Sequence, residues 1–164
     1  MSRLQPINKK QILIGSIALF IGLIFYLIGR PPDHTYFIYK GIIPISLYQN
    51  FPIEFGFAGD GLPAFLHVFS FSMITAGWLS CGKRSALIIC LSWFTVDCMF
   101  ELGQIRDAWS SRMVPDWFVN VPFIQNLDGY FINGTFDFYD MISILIGAVT
   151  SYLVLMATKT KKTI

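Results

Sequence analysis

Residues 11–29 read QILIGSIALFIGLIFYLIG, nineteen consecutive positions without a charge. A helix rises about 1.5 Å per residue and a bilayer's hydrocarbon core takes about 20 apolar residues to cross, so this stretch is long enough to span a membrane. Lys9 and Lys10 precede it and Arg30-Pro31-Pro32 ends it. A cleaved signal peptide would have a shorter apolar core and a small-x-small site after it, so a retained helix is expected.

Three further runs have the same character. They are LPAFLHVFSFSMITAGWLS at 62–80, SALIICLSWFTVDCMFELG at 85–103 and YDMISILIGAVTSYLVLMA at 139–157. All four are expected to be helices, because lipid offers a lone segment no other way to satisfy its backbone. Pro63 is expected in the first turn of the second, where its missing N–H costs little, and Gly82 in the tight turn before the third. The whole chain agrees: 54% of its 164 residues are hydrophobic and 13% charged, and mean hydropathy is +0.58. About a quarter of a soluble domain is charged, so a soluble globule and a disordered chain are both excluded. The expected fold is a single all-α transmembrane domain over 1–164, a four-helix bundle.

The charges set an orientation. With the N-terminus, the turn 81–84 and the C-terminal tail on one side, that side holds Arg3, Lys9, Lys10, Lys83, Arg84, Lys159, Lys161 and Lys162. These are 8 of the 12 basic residues, and none of the 10 acidic ones is with them. The positive-inside rule makes this side the cytoplasm of a plasma (inner) membrane protein with both termini inside. Two long external segments follow, about 33–61 and 104–138, rich in aromatics and proline. They are expected at the headgroup level or capping the bundle. Asn133-Gly134-Thr135 matches a glycosylation sequon, a signal with meaning only in a eukaryotic secretory pathway. Cys81, Cys90 and Cys98 form no CxxC or zinc pattern, so no disulfide framework and no metal site are expected. A net charge of +2 gives no field for nucleic acid, and no cofactor motif is present.

Ionisable residues within spans are costly and need a reason. His67 on the second run, Asp97 and Glu101 on the third and Asp140 on the fourth all fall in the outer half, and they are the candidate catalytic residues. Asp97 and Glu101 are i,i+4 and share a helix face, with Gln104 a turn further on. Two carboxylates so placed repel unless one is protonated or a cation is near; Arg106, just beyond the helix end, is the expected cation. Asp140 lines up with Ser143, Gly147 and Ser151, a small-residue stripe that permits close helix approach. Its face is therefore expected to point inward, opposite Glu101, with Asp97 and His67 deeper in the same pocket. Asp137 is the expected N-cap of that helix. Gly15, Gly22 and Gly29 recur every seven residues and mark a packing seam on the first helix.

LPAFLHVFSFS, FELGQ and GTFDFYDMISILIG together resemble the VanZ-like membrane proteins over about residues 62–155. That family's pattern is a His near the start of one helix, a Glu-x-x-Gln on the next, and an Asp followed seven residues later by Gly. It falls here on His67, on Glu101 with Gln104, and on Asp140 with Gly147. Leu62-Pro63-Ala64 stands where the family often has Asp-Lys, and Ile144 where it has Asn. For the Arg that commonly follows Glu-x-x-Gln, Arg106 and Arg112 are the candidates, so Gln104, Arg106 and Arg112 are the candidate ligand-binding residues. The family's named member is linked to resistance to a glycopeptide antibiotic and most relatives are uncharacterised, so the resemblance speaks for fold and site more than for activity.

Two functions compete. One is a membrane protein whose polar outer-leaflet pocket binds or modifies a lipid or envelope molecule, with Glu101 as base or cation ligand and His67 as proton partner. The other is an accessory subunit of a larger membrane protein complex, its aromatic segments serving as contact surfaces. Known hydrolase and ATPase motifs are absent, as are the Asn-x-Gly-Ala-Ala-Phe and Gly-Asn-x-x-Asp-Arg stretches of the lipoprotein signal peptidases. Whether the chain is an enzyme stays open at the sequence level.

Overall fold

The computed structural model describes residues 7–31, 45–48, 50, 55–121 and 124–159. Four long helices dominate: α1 (Lys9–Gly29), α2 (Phe57–Leu79), α3 (Lys83–Gly103) and, at the end of the chain, a fourth over Phe138–Ala157. All four are long and apolar enough to cross a membrane. Before the last of them come a 3-10 turn (Gln104–Arg106), α4 (Asp107–Arg112), a second 3-10 turn (Asp116–Asn120) and α5 (Leu127–Asn133), so Phe138–Ala157 is α6. Among the described residues there is no strand. Most of the first external segment, with Arg3, Lys161 and Lys162, lies outside the described residues.

The helix ends follow from local chemistry. Asn8 caps α1, its side-chain oxygen accepting the Gln11 N–H at 3.3 Å. Asp137 caps α6 by accepting the Tyr139 N–H at 2.8 Å, as expected. Gly82 stands in the α2–α3 turn as expected, as the N-cap of α3, but it is not the left-handed residue of that turn. Gly82 is extended at φ −73°, a conformation open to any residue, whereas Ser80 takes the left-handed position at φ 46°. Pro63 differs from its expected place: α2 begins at Phe57, so the proline lies inside the helix. The ring blocks a hydrogen bond to the carbonyl of Gly59, and transmembrane helices accommodate such losses where neighbours pack closely.

α2 is the hub. It packs against α1, α3 and α6, and α6 packs on α3 as well. The glycines make this possible. A Cβ at Gly15 would lie 2.8 Å from the Ser70 carbonyl oxygen, and one at Gly29 would lie 2.9 Å from the Phe55 ring. On α6, Gly147 rests on the backbone of Phe65, and Gly61 of α2 abuts Ser143. Gly15 and Gly22 of the α1 seam and the small-residue stripe on α6 are thus helix contacts, while Gly29 meets Phe55 just before α2. At the opposite end Gln11, 5% exposed, donates to the Leu155 carbonyl at 3.2 Å and to Thr158 Oγ1 at 3.1 Å. Asn8 donates its backbone N–H to the Gly77 carbonyl at 2.9 Å. The start of α1 and the ends of α2 and α6 therefore meet at one end of the bundle.

The interior is mainly apolar but carries several polar groups. Gln11, Ser70, Ser72, Asp97, Glu101 and Ser151 are buried beside Met73, Val68 and Leu155. The outward faces are apolar: Leu13, Ile17 and Phe20 on α1, Leu91 and Met99 on α3, and Leu145, Ile146 and Leu153 on α6 are all exposed. Water would reject that distribution, while lipid accepts it.

Candidate functional site

Glu101 sits in the last turn of α3, 5% exposed. Its Oε1 accepts the backbone N–H of Asp137 at 2.9 Å, and that residue opens α6. The carboxylate therefore lies against the N-terminal end of a helix, where the unpaired N–H groups favour negative charge. It meets α6 one turn before Asp140, at the cap. Gln104 bridges outward from it: Nε2 lies 3.4 Å from Glu101 Oε2 and donates to the Tyr130 hydroxyl at 2.7 Å. Gly134 makes room for this bridge, since a Cβ there would lie 2.7 Å from the Gln104 amide. Burial pushes the Tyr130 phenol well above its ordinary value, with Tyr26 and Glu101 adding to the shift. The hydroxyl thus remains neutral and tethers α5 to the end of α3.

Asp97, one turn deeper and 8% exposed, is held by His67, whose Nδ1 lies 2.7 Å from Asp97 Oδ2. The imidazole reaches this carboxylate from the rim of the α2–α3 seam, its side chain 48% exposed. Phe71 meets it edge-on at 4.5 Å and Trp93 at 6.4 Å, and the two aromatic rings stack on each other at 4.7 Å. His67 thus shares Asp97 with the interior site but opens toward the bundle's surface.

The cation is not the one expected. Arg106, the last residue of the 3-10 turn, is exposed, and Arg112, at the end of α4, is exposed as well. Within electrostatic range of Glu101 is instead Arg30, with Asp97 and Asp137. Arg30 follows the last residue of α1 and covers the Tyr26 ring at 4.9 Å. Tyr26 in turn lies within electrostatic range of Asp140, Asp97 and Glu101. The physical reason is directional: after Glu101 the chain turns away into the 3-10 segment, while α1 ends at the level where α3 ends. Tyr26, Arg30 and Tyr130 are the residues that sequence reasoning missed. Four antiparallel spans place the end of α1 beside the end of α3, so the topology held a signal for Arg30. Ile144, where the resembling family has Asn, is 2% exposed in the apolar contact between α2, α3 and α6.

The site can thus position an imidazole by a carboxylate, leaving Nε2 as the ring's second nitrogen. Beside it, a buried carboxylate is fixed at a helix start. Imidazole–carboxylate pairs of this kind orient a proton donor or acceptor. Among the described residues no group of three His, Cys, Asp or Glu side chains converges as metal ligands. Fold and site together define a helical multi-pass membrane protein with a cluster of ionisable groups at one end of its bundle. No family model, curated protein or solved structure matches the chain.

Proposed function

We propose that the chain is a VanZ-like protein of the plasma (inner) membrane, with both termini cytoplasmic, whose outer-leaflet site binds a lipid or cell-envelope molecule. The reading is carried by one observation, the 2.7 Å contact between His67 Nδ1 and Asp97 Oδ2 at a half-exposed rim of the bundle. An ionisable pair at a lipid-facing rim costs energy that a purely structural bundle has no need to spend. A headgroup passing along the α2–α3 seam would meet the imidazole first, with the Phe71–Trp93 stack beneath it. The charged groups behind it, Glu101, Asp140 and Arg30, would then set the local polarity.

The test is native mass spectrometry of the protein extracted from its own membrane. Wild type should retain an envelope molecule that His67→Gln and Asp97→Asn lose at unchanged helical content. The same bound molecules on all three proteins would sink the reading. The accessory-subunit alternative draws on Trp117 and Val119, which expose apolar surface outside the four long helices. It gains if a single large partner co-purifies at fixed stoichiometry.

A further inference from the structure

A groove of about 480 Å³ opens where α3 gives way to the segment that follows it. Its walls are apolar, with Leu102, Trp109, Met113, Phe118 and Leu127 among them, and Arg106 is the one ionisable side chain among the described residues of the lining. Ser110, at its edge, is already spent on the Gly103 carbonyl at 2.7 Å. Among the described residues no carboxylate pairs with Arg106. The groove starts on the exposed outer face of α3, at Met99 and Leu102. It ends at Arg106, which is also the last residue of the third membrane-crossing stretch. A cation at the end of a span sits at headgroup level, and Met99 and Leu102, which precede Arg106 in that span, lie at the depth of acyl chains.

We infer that this groove is a binding site for an anionic phospholipid, with the phosphate on Arg106 and part of one acyl chain along the apolar wall. Charge complementarity selects this occupant. A free phosphate has no use for the wall, an apolar peptide has no use for an exposed guanidinium, and a zwitterionic lipid brings its own cation to the phosphate. The inference rests on α3 crossing the membrane and is independent of the role of His67 and Asp97.

Trp109, in the groove wall, is a built-in reporter. The full-length protein is placed in bilayer discs carrying small fractions of phosphatidylglycerol or phosphatidylcholine with brominated acyl chains. The Trp109 signal is the difference between wild type and Trp109→Phe. Half-quenching is expected at about fivefold lower mole fraction of the brominated phosphatidylglycerol, the preference that one basic residue gains from an anionic surface. Arg106→Gln should merge the two curves, and Arg106→Lys should keep them apart. Should Arg106→Gln fail to fold, raised salt applied to wild type must shrink the preference instead. Equal quenching by both lipids, or a preference that survives Arg106→Gln, overturns the site. A preference abolished by excess inorganic phosphate assigns the arginine to a free anion and overturns the lipid. A co-purifying protein that shields Trp109 from both lipids overturns it in favour of a partner. Absence of quenching by either lipid, with no such protein bound, places Trp109 outside the bilayer and removes the membrane premise itself.

Discussion

Gly147 offers a sharp test of how the bundle is held. A Cβ added there would lie 2.7 Å from the Phe65 carbonyl oxygen and 3.3 Å from its Cα, both backbone atoms that cannot rotate away. To restore an ordinary contact, α6 must back off α2 by roughly 0.7 Å, and a gap of that size forfeits a quarter to a half of each dispersion contact along the seam. The seam carries Val68, Ile144 and Ala148, and helices in lipid have no hydrophobic effect between them to compensate. Gly147→Ala is therefore expected to destabilise by about 1–3 kcal/mol, the usual cost of overpacking. Gly22→Ala is the control. Its Cβ would meet Leu66 at 3.6 Å, an ordinary contact, and alanine is favoured in a helix by about 1 kcal/mol over glycine. That variant should be neutral or slightly stabilised. The assay is unfolding in detergent by tryptophan fluorescence, at matched expression. The reasoning fails if Gly147→Ala lies within roughly 0.5 kcal/mol of wild type, the range of an indifferent surface change, or if Gly22→Ala costs as much as Gly147→Ala.

Three further outcomes are expected. Glu101→Leu should lose about 1–3 kcal/mol, because the Asp137 N–H loses its buried acceptor, whereas Glu101→Gln keeps an acceptor oxygen and should unfold near wild type; equal losses in the same assay would contradict the cap contact. The protein should lose stability as pH rises above 10, because folded Tyr130 holds its proton, with its phenol raised above the ordinary 10.0, while the unfolded chain releases it; Tyr130→Phe should flatten that loss, and an unchanged alkaline profile would refute the assignment. In intact cells a membrane-impermeant maleimide should modify Asp128→Cys and leave Lys159→Cys untouched, in a background without native thiols. Cys81 itself is a poor reporter of the α2–α3 turn, since burial raises its thiol. The reverse labelling pattern would invert the topology.

The spans were legible because the signal is one-dimensional: a run of apolar residues of bilayer length needs no partner to be recognised. Glycines at every seventh residue of α1 and the stripe Ser143, Gly147 and Ser151 were legible for a related reason, since a helix face is fixed by its own period. The same period put Asp97 and Glu101 on one face. Pro63 was misplaced because the apolar pattern starts at Leu62 while the helix starts at Phe57, and helical turns outside the lipid carry no hydropathy signal.

The sequence by itself determined the four spans, their glycine contact faces and the acidic face of α3, because helix length and helix period are properties of a single segment. Only the tertiary structure decided that Arg30 rather than Arg106 stands near Glu101, that Glu101 holds the start of α6 through Asp137, and that His67 reaches Asp97 from the rim of the bundle. Each of these joins segments 30 or more residues apart. Which side chains meet there is set by how α1 and α6 pack on α2, a three-dimensional choice that no local period encodes.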